Sequence, residues 1–209
     1  MKERLAALPP LLREYESLIS NFMSLSNHIL VNILSCLSDV INSTNFNRFE
    51  NGHRGDKPNK TILTMHRYPK EIGPNNFGHM AHTDIGSLTL VLTEQWGLQV
   101  FVPETKTWCF VEPKPGLSVV NIGDALRFMS GKRCYSALHR VVPVVWQELP
   151  RYSICYFLRP DNDVKFKDVN GREISAEQWH DNKQIMYQET HEMQEGRVIT
   201  GGMGSELAK

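Results

Sequence analysis

The sequence predicts a mainly β protein with flanking α-helices, whose core is a double-stranded β-helix (a jelly roll, cupin-like). Three observations predict this class. Seven short segments between residues 61 and 160 show the two-residue apolar period of β-strands. Turn signals such as PETKT, PKPG and SGKRC separate them, as is typical of a sandwich or barrel. A long segment of helical periodicity precedes the strands, so helices are expected to pack outside the β core.

Residues 1–43 are assigned to a long N-terminal helix that packs on the core. Pro9 and Pro10 suit a first helical turn, and apolar residues then recur every three or four positions. They form two neighbouring rows: Leu11, Tyr15, Leu18, Phe22, Leu25, Ile29, Ile33, Leu37 and Val40, and beside them Leu12, Ile19, Met23, Leu30, Leu34 and Ile41. This face is wider than one sheet contact usually requires. Either the helix has a broad footprint on the core, or part of it meets a second subunit or a segment outside this sequence.

Composition divides the rest of the chain into three parts: a polar loop over 44–60, the jelly-roll core over 61–162, and a C-terminal helical segment with a flexible tail over 163–209. In the last part, Ser175 with Glu177–Gln178 forms a capping arrangement for a helix that is expected to end at Gly196. Within the core, Asp124 follows the apolar strand VVNI and is expected to cap the turn there.

Charge and hydropathy argue against several kinds of partner. The 209 residues include 23 Lys plus Arg and 23 Asp plus Glu, a balance that favours neither nucleic acid nor an anionic membrane. No apolar run approaches the roughly 18 residues of a membrane span. The four cysteines form no CxxC pair and are interpreted as free thiols of a reducing compartment. Because the N-terminus also lacks the apolar core of a signal peptide, a cytoplasmic protein is expected.

The stretch HMAHTDIGSLTLVL contains a candidate metal pair. His82 and Asp84 are two residues apart, and on a strand such positions project from the same face. A third ligand must come from elsewhere, and His139, in another strand-like segment, is the strongest candidate. Two imidazoles and one carboxylate form a facial triad that suits non-haem Fe(II) and leaves coordination positions open. His79, three residues before His82, is expected to be a bystander.

A candidate carboxylate clamp lies further along the chain. Arg151 and Ser153 alternate on one face of the strand-like segment RYSICYF. An arginine fork binds a carboxylate through two parallel charge-assisted hydrogen bonds, and a serine hydroxyl can donate a third. A metal with open positions beside such a clamp indicates a co-substrate that chelates the metal at one end and is anchored at the other.

With these residues in place, the sequence resembles the Fe(II)- and 2-oxoglutarate-dependent dioxygenases of the isopenicillin-N-synthase-like branch. The matching pieces are HTD, GLQV, VVNIGD, HRV and RYS, in that order, within about Thr61 to Pro160. The resemblance implies Fe(II) as cofactor, 2-oxoglutarate and O2 as co-substrates, and no catalytic side chain beyond the metal site. It implies the following site residues: His82, Asp84 and His139 as iron ligands, with Arg151, Ser153 and Tyr68 holding the distal carboxylate of 2-oxoglutarate.

The sequence departs from this family at two places. The family usually has asparagine two residues before the tyrosine, where this chain has His66, which either replaces that contact or lies behind it. Family members also carry a further N-terminal segment over the barrel mouth, and the wide apolar helix face is expected to meet such a segment or a second subunit. Phe157 continues the face of Arg151 and is expected either to line the substrate side or to fill the barrel.

The predicted function is hydroxylation, desaturation or cyclisation of a small organic substrate, such as a natural product of secondary metabolism, coupled to oxidative decarboxylation of 2-oxoglutarate. Two alternatives stay open from the sequence. One is a catalytically impaired jelly-roll module that keeps the metal site and serves binding or assembly. The other is an oxidase without 2-oxoglutarate, in which the Arg151–Ser153 pair holds a substrate carboxylate instead.

Overall fold

The computed structural model of the protein describes residues 9–41, 48–69, 78–144, 146–187 and 200–201. Two N-terminal helices, α1 (Pro10–Arg13) and α2 (Glu16–Val40), precede a 3₁₀ turn at Phe49–Gly52. The strands are β1 (Ile62–Tyr68), β2 (His79–His82), β3 (Leu88–Leu92), β4 (Leu98–Val102), β5 (Thr107–Phe110), β6 (Val119–Ile122), β7 (His139–Val141), β8 (Arg151–Leu158), β9 (Lys165–Lys167) and β10 (Glu173–Ser175). Helix α3 (Asp124–Met129) lies between β6 and β7, and α4 (Ala176–Met186) follows β10.

Two four-stranded antiparallel sheets form the core, in the orders β1-β8-β3-β6 and β2-β7-β4-β5. Successive strands switch between the sheets, except β4 and β5, which pair directly. This crossing pattern is that of a jelly roll and confirms the predicted fold class. The first sheet brings β8 beside β1 and β3, and the second brings β2 beside β7, so residues far apart in sequence become neighbours.

The two faces of the first sheet have different neighbours, as the two-residue period of its strands requires. In β3 and β8, Leu88, Leu90, Tyr156 and Leu158 share a buried cluster with Leu30 and Leu34 of α2. The alternate residues of β8, beginning with Arg151 and Ser153, point to the other face and line a cavity between the sheets. Helix packing outside the core therefore leaves the inner face available for polar side chains.

The N-terminal helical region differs from the single helix that periodicity predicts, because α1 and α2 are separate. Of the two apolar rows on α2, the one with Ile19, Leu30 and Leu34 is buried against the sheet. The other row remains largely in solvent, with Leu18 66% and Leu25 60% exposed. The expectation that this second row meets a further segment or a second subunit stays a prediction. Among the described helices, none combines the length and apolarity that crossing a bilayer takes.

The C-terminal region contains a feature that the sequence analysis missed, the short antiparallel pair of β9 and β10. These three-residue strands are too short for their period to be visible in sequence. The predicted cap of the following helix is confirmed, since the Ser175 hydroxyl accepts from the Gln178 amide N–H at 3.2 Å and the Gln178 side chain accepts from the Ser175 amide at 3.1 Å. The predicted helix end at Gly196 and most of the flexible tail lie outside the described residues.

His53 belongs to the stretch that sequence predicts to be a polar loop, but its side chain is buried. Its Nδ1 lies 2.7 Å from the carbonyl oxygen of Phe49, and its Nε2 lies 2.7 Å from the Ser87 hydroxyl at the start of β3. The imidazole therefore ties the 3₁₀ turn to the first sheet. Burial lowers the pKa of His53 from 6.5 to about 4, although the hydrogen bond to Phe49 opposes this shift.

This buried imidazole predicts a loss of stability in mild acid. Because the folded-state pKa of His53 is below its unfolded value, the unfolded chain binds more protons between pH 6.5 and about 4, and stability falls as pH falls through that window. Between pH 7 and about pH 5 the contribution is about 2 kcal/mol. Urea unfolding of the wild type and of His53→Gln should show that the variant lacks this part of the pH dependence. His28→Gln, at an exposed position of α2, is the control, and equal pH slopes for wild type and His53→Gln would contradict the assignment.

Candidate metal centre

The three predicted metal ligands lie together at the inner face of the second sheet. His82 ends β2 and His139 begins β7, and the two residues are directly paired across the strands. Oδ1 of Asp84 is 3.7 Å from Nε2 of His82 and 3.6 Å from Nε2 of His139. One donor atom from each residue lies within 4.8 Å of the others. The sequence argument assumed that His82 and Asp84 lie on the same strand. In the structure β2 ends at His82, and the Asp84 carboxylate comes from the turn that follows.

Backbone carbonyl groups fix the orientation of both histidines. Nδ1 of His82 lies 2.7 Å from the carbonyl oxygen of Met80, and Nδ1 of His139 lies 2.9 Å from that of Ala137. A carbonyl oxygen only accepts, so Nδ1 carries the proton in each ring and Nε2 presents a lone pair to the site. Burial lowers the pKa of His82 well below its usual value, and His139 adds to the shift, so this ring is neutral near neutral pH.

The Asp84 carboxylate is held at one oxygen and free at the other. Its Oδ2 accepts from the Thr89 hydroxyl at 2.6 Å and from the Asn121 amide at 2.7 Å, while Oδ1 faces the histidines. Burial would raise the pKa of Asp84, but the neighbouring histidines and these two hydrogen bonds outweigh it and lower the pKa to about 2. A buried carboxylate that stays charged, facing the Nε2 atoms of two imidazoles, is a donor set that fits a divalent cation such as Fe(II).

A buried ion pair supports the turn that carries Asp84. Lys183 of α4 is fully buried, and its ammonium donates to the Thr83 carbonyl at 2.6 Å, the Thr83 hydroxyl at 2.8 Å and Asp124 at 2.5 Å. The Asp124 backbone N–H also donates to the Asp84 carbonyl at 2.8 Å. The sequence predicts that Asp124 caps the turn, but Asp124 is the first residue of α3, after the N-cap Gly123, and its carboxylate instead pairs with a lysine from a distant helix.

Close backbone contact at the same turn depends on a glycine. A Cβ at Gly123 would clash with the carbonyl oxygen of Gly86, because the two backbones approach too closely to admit a side chain. Without a side chain there, the N-terminus of α3 approaches the turn, and the Ala125 amide donates to the Gly86 carbonyl at 3.0 Å. The glycine of the motif VVNIGD thus allows the N-terminus of α3 to pack against the turn that carries Asp84.

Replacing Lys183 by methionine is expected to destabilise the protein by about 3–5 kcal/mol, because it leaves the buried Asp124 carboxylate without its cation. Urea unfolding measures the loss, and calorimetric Fe(II) titration under anaerobic conditions should show weaker metal binding, since Thr83 lies between two metal-site residues. Adding Asp124→Asn should recover part of the stability by removing the unpaired charge. Lys165→Met, at an exposed ion pair with Glu173, is the matched control. A Lys183→Met protein as stable as that control would contradict this role.

The predicted carboxylate clamp lies on the opposite sheet and faces the same cavity. Arg151 and Ser153, each 4% exposed, are the first and third residues of β8, and the guanidinium Nη1 donates to the Ser153 hydroxyl at 3.2 Å. The buried Nε of Arg151 has no hydrogen-bond partner among the residues that the structure describes. Burial lowers the pKa of Arg151, but the group stays charged at neutral pH because its usual value is so high. A buried, charged guanidinium with an unused donor is a receptor for an anion.

Tyr68 lies directly opposite Arg151 in the pairing of β1 with β8, and His66 lies opposite Ser153. The Arg151 guanidinium carbon is 5.0 Å from the centre of the Tyr68 ring. The Tyr68 hydroxyl lies 3.1 Å from Nδ1 of His79, whose ring packs edge-on against His66. His79 is not part of the metal group found among the described residues, but its ring is in contact with three of the predicted site residues, His66, Tyr68 and His82.

A single cavity of about 1940 Å³ joins these groups. It opens between the two sheets and is lined by the metal triad on one side and the clamp on the other. Phe157, predicted either to line the substrate side or to fill the barrel, borders this cavity. Burial lowers the pKa of His79 to about 4 and also lowers that of His66, so both rings are neutral at neutral pH. The cavity can hold a chelating molecule at the metal, anchor its far end at Arg151, and still admit a second molecule.

Several residues of the site were missed by sequence reasoning. Thr89 and Asn121 fix Asp84, and Lys183 supports its turn. A signal existed for the first two, because a polar residue interrupts each otherwise apolar strand, LTLVL and VVNI. No comparable signal marks Lys183, which lies in a helix rich in polar residues and looks like any surface lysine.

Known proteins resemble this chain in sequence and in structure. The sequence model of the 2OG-Fe(II) oxygenase superfamily matches residues 47–160. The 2-oxoglutarate-dependent dioxygenase iboH of Amanita muscaria is 48% identical over 206 residues, which cover 96% of this chain and 100% of that protein. The 2-oxoglutarate-dependent dioxygenase gloE of Glarea lozoyensis is 41% identical, over 97% of this chain and 62% of that protein. The crystal structure of a full-length Neurospora crassa protein in complex with alpha-KG superposes with a TM-score of 0.72 at 25% identity, covering 86% of this chain and 60% of that one.

The extent of these matches differs among the relatives. This chain spans the whole of the first relative but about three fifths of gloE and of the Neurospora crassa protein. The similarities agree with the superfamily that the sequence motifs indicated. They do not distinguish its branches, so the isopenicillin-N-synthase-like assignment stays a prediction.

Proposed function

The chain belongs to the 2OG-Fe(II) oxygenase superfamily, and on that premise we propose that it couples oxidative decarboxylation of 2-oxoglutarate to hydroxylation, desaturation or cyclisation of a small organic substrate. One observation carries the proposal. A His-Asp-His donor set and a buried arginine with an unused donor face each other across one cavity. This arrangement suits a co-substrate that chelates a metal at one end and carries a carboxylate at the other.

In this proposal His82, Asp84 and His139 hold Fe(II). When bound, Fe(II) supplies the chemistry that activates O2 and oxidises the substrate. The chain contributes the geometry: both imidazoles present Nε2 because backbone carbonyls hold Nδ1, and Asp84 presents Oδ1 because Thr89 and Asn121 hold Oδ2. Two neutral ligands and one carboxylate leave a net positive charge on a divalent ion, which attracts an anionic chelator.

Arg151 and Ser153 bind the distal carboxylate of 2-oxoglutarate in this proposal. The guanidinium fork supplies two donors and the serine hydroxyl another. Tyr68, packed over the guanidinium, completes the wall of the subsite, and His79 holds its hydroxyl. His66 stands opposite Ser153 and borders the same space, so we assign it to the wall around the co-substrate rather than to the metal.

The compartment in which this chemistry takes place is proposed to be the cytoplasm. All four cysteines are free, and two of them, Cys36 and Cys109, are exposed. Exposed unpaired thiols persist in a reducing compartment.

The buried Cys155 thiol lines the cavity but is not expected to react there. Burial raises its pKa to about 11, so the thiol stays protonated and is a poor nucleophile.

The test is formation of succinate from 2-oxoglutarate with Fe(II), O2 and ascorbate, with and without a panel of small organic substrates. We expect succinate in the presence of Fe(II) and none when Zn(II) replaces it. Iron binding without succinate under any substrate would favour the binding or assembly module instead. Substrate oxidation that does not depend on added 2-oxoglutarate would favour the oxidase.

A further inference from the structure

A second arginine borders the cavity at the far end of the strand that carries the clamp. Arg159 follows β8 directly, at a position that continues the face of Arg151, Ser153 and Phe157. The two arginines are eight positions apart along extended chain, which places their Cα atoms roughly 25 Å from each other. Strand β8 therefore presents a cationic side chain to the cavity at each end.

Among the described residues, Arg159 lacks the anionic partners that the two lysines at the cavity, Lys57 and Lys60, have. Lys57 pairs with Asp163 at 2.7 Å, and Lys60 lies 3.5 Å from Glu177. Among the residues that the structure describes, no carboxylate lies within ion-pair distance of Arg159. Its Nη1 donates to the Lys60 carbonyl at 2.6 Å and lies 2.8 Å from Nε2 of His180, both uncharged acceptors, and its buried Nε has no partner in the same described ranges.

The Arg159 guanidinium also lies near an aromatic ring of the cavity wall. Its central carbon is 5.8 Å from the centre of the Phe157 ring, which borders the cavity. Burial lowers the pKa of Arg159 to about 10, while the negative charges of Asp84 and, when ionised, Tyr187 oppose the shift. The arginine thus remains charged at neutral pH.

Arg159 and Arg151 therefore share three features. Both border the cavity, neither has a carboxylate partner among the described residues, and each has a buried Nε without an acceptor among those residues. Arg151 is buried and Arg159 is half-buried, and a cation without an anionic partner in such a setting is costly unless an anion joins it. The proposed function assigns only one of these two arginines to 2-oxoglutarate. Arg159 is left with an Nε donor that no described residue uses, at the border of the same cavity.

We propose that Arg159 forms an anion subsite that binds a carboxylate of the primary substrate, which makes the substrate class small organic acids, amino acids included. This proposal rests on the proposed function, because it assumes that Arg151 is taken by 2-oxoglutarate. Binding of the carboxylate at Arg159 directs the rest of the substrate along Phe157 toward the metal. His180 and the Lys60 carbonyl hold Nη1, so the guanidinium keeps a fixed direction.

The test compares organic acids with their neutral amides. Phenylacetate, hexanoate and N-acetylglycine, each beside its primary amide, are titrated calorimetrically into protein saturated with Zn(II) and 2-oxoglutarate, so that no turnover occurs and Arg151 is occupied. We expect at least one acid to bind about tenfold or more tighter than its amide, as a charge-assisted hydrogen bond allows. Arg159→Gln should bring that ratio close to one, and Arg159→Lys, which keeps the charge without the fork, should retain part of it.

Controls separate this proposal from the proposed function. Arg67→Gln, an exposed arginine of β1 that donates to the Tyr152 hydroxyl outside the cavity, should keep the wild-type preference. Arg159→Gln should bind 2-oxoglutarate as the wild type does, which also shows that the variant is folded. The proposal is overturned if no acid binds up to its solubility limit, if acid and amide bind equally, or if Arg159→Gln keeps the preference. Failure of the wild type to turn over 2-oxoglutarate with Fe(II) would instead count against the proposed function.

Discussion

Replacing His139 by alanine is expected to abolish tight Fe(II) binding and the turnover of 2-oxoglutarate. The variant removes one of the three proposed ligands and leaves the Asp84 carboxylate facing a single imidazole. Loss of an outer-sphere partner already costs about 10–100-fold in metal affinity, so loss of a ligand should exceed a hundredfold. The fold should persist, because His139 begins a three-residue strand and its side chain faces the cavity rather than the apolar cluster beneath α2.

Anaerobic calorimetric titration of Fe(II) and an assay of succinate formation measure the two losses. His28→Ala is the matched control, since His28 is exposed on α2, where its side chain lies 3.2 Å from the Asn32 amide. Thermal unfolding of both variants without metal shows whether the chain is intact. Wild-type iron affinity in the His139→Ala protein would rule out the proposed triad.

The second large effect is expected from Arg151→Lys, which should weaken 2-oxoglutarate binding about tenfold to a hundredfold. Lysine keeps the charge but cannot reproduce the planar fork that meets both carboxylate oxygens. The site is also dry, because Arg151 is 4% exposed, so a misplaced ammonium is not easily rescued by water. Fe(II) affinity should change little, since the clamp and the metal triad lie on opposite sheets.

The apparent affinity for 2-oxoglutarate is read from succinate formation over a range of co-substrate concentrations. Arg67→Lys, on an outward-facing position of β1, is the control. A shorter dicarboxylate such as oxaloacetate should lose less from the substitution than 2-oxoglutarate does, because it reaches Arg151 less well. If Arg151→Lys and the control have the same affinity, the anchor of the co-substrate is elsewhere.

The sequence was most informative where successive side chains of a strand point alternately to its two faces. The alternation in LTLVL and RYSICYFL predicted both the strands and the face on which Arg151 and Ser153 lie. The pairing of His82 with His139 could be inferred from their chemistry, although not from any local pattern. For Asp84 the geometric argument was incomplete, since the turn after β2, rather than the strand, carries the carboxylate that faces both histidines.

What sequence could not predict depends on contacts between distant segments. Lys183 looks like a surface residue until α4 is placed against the turn at Thr83. His79 does not belong to the metal group, yet it contacts Tyr68 because β1 and β2 meet at the cavity. The lack of a carboxylate beside Arg159 in the described ranges is likewise a property of the assembled cavity, because acidic residues occur nearby in sequence at Asp161 and Asp163.

The anchoring of the Thr83 turn by Lys183 has a consequence for synthesis on the ribosome. The two residues are 100 positions apart, and the ammonium reaches the turn only when α4 has been made and docked. Chains fold progressively from the N-terminus as they emerge, so the strands bearing His82 and His139 are available earlier than the helix that supports them. A nascent chain can thus gather the proposed metal ligands before it can stabilise the turn between them, and the site reaches its final form only after α4 has been synthesised and docked.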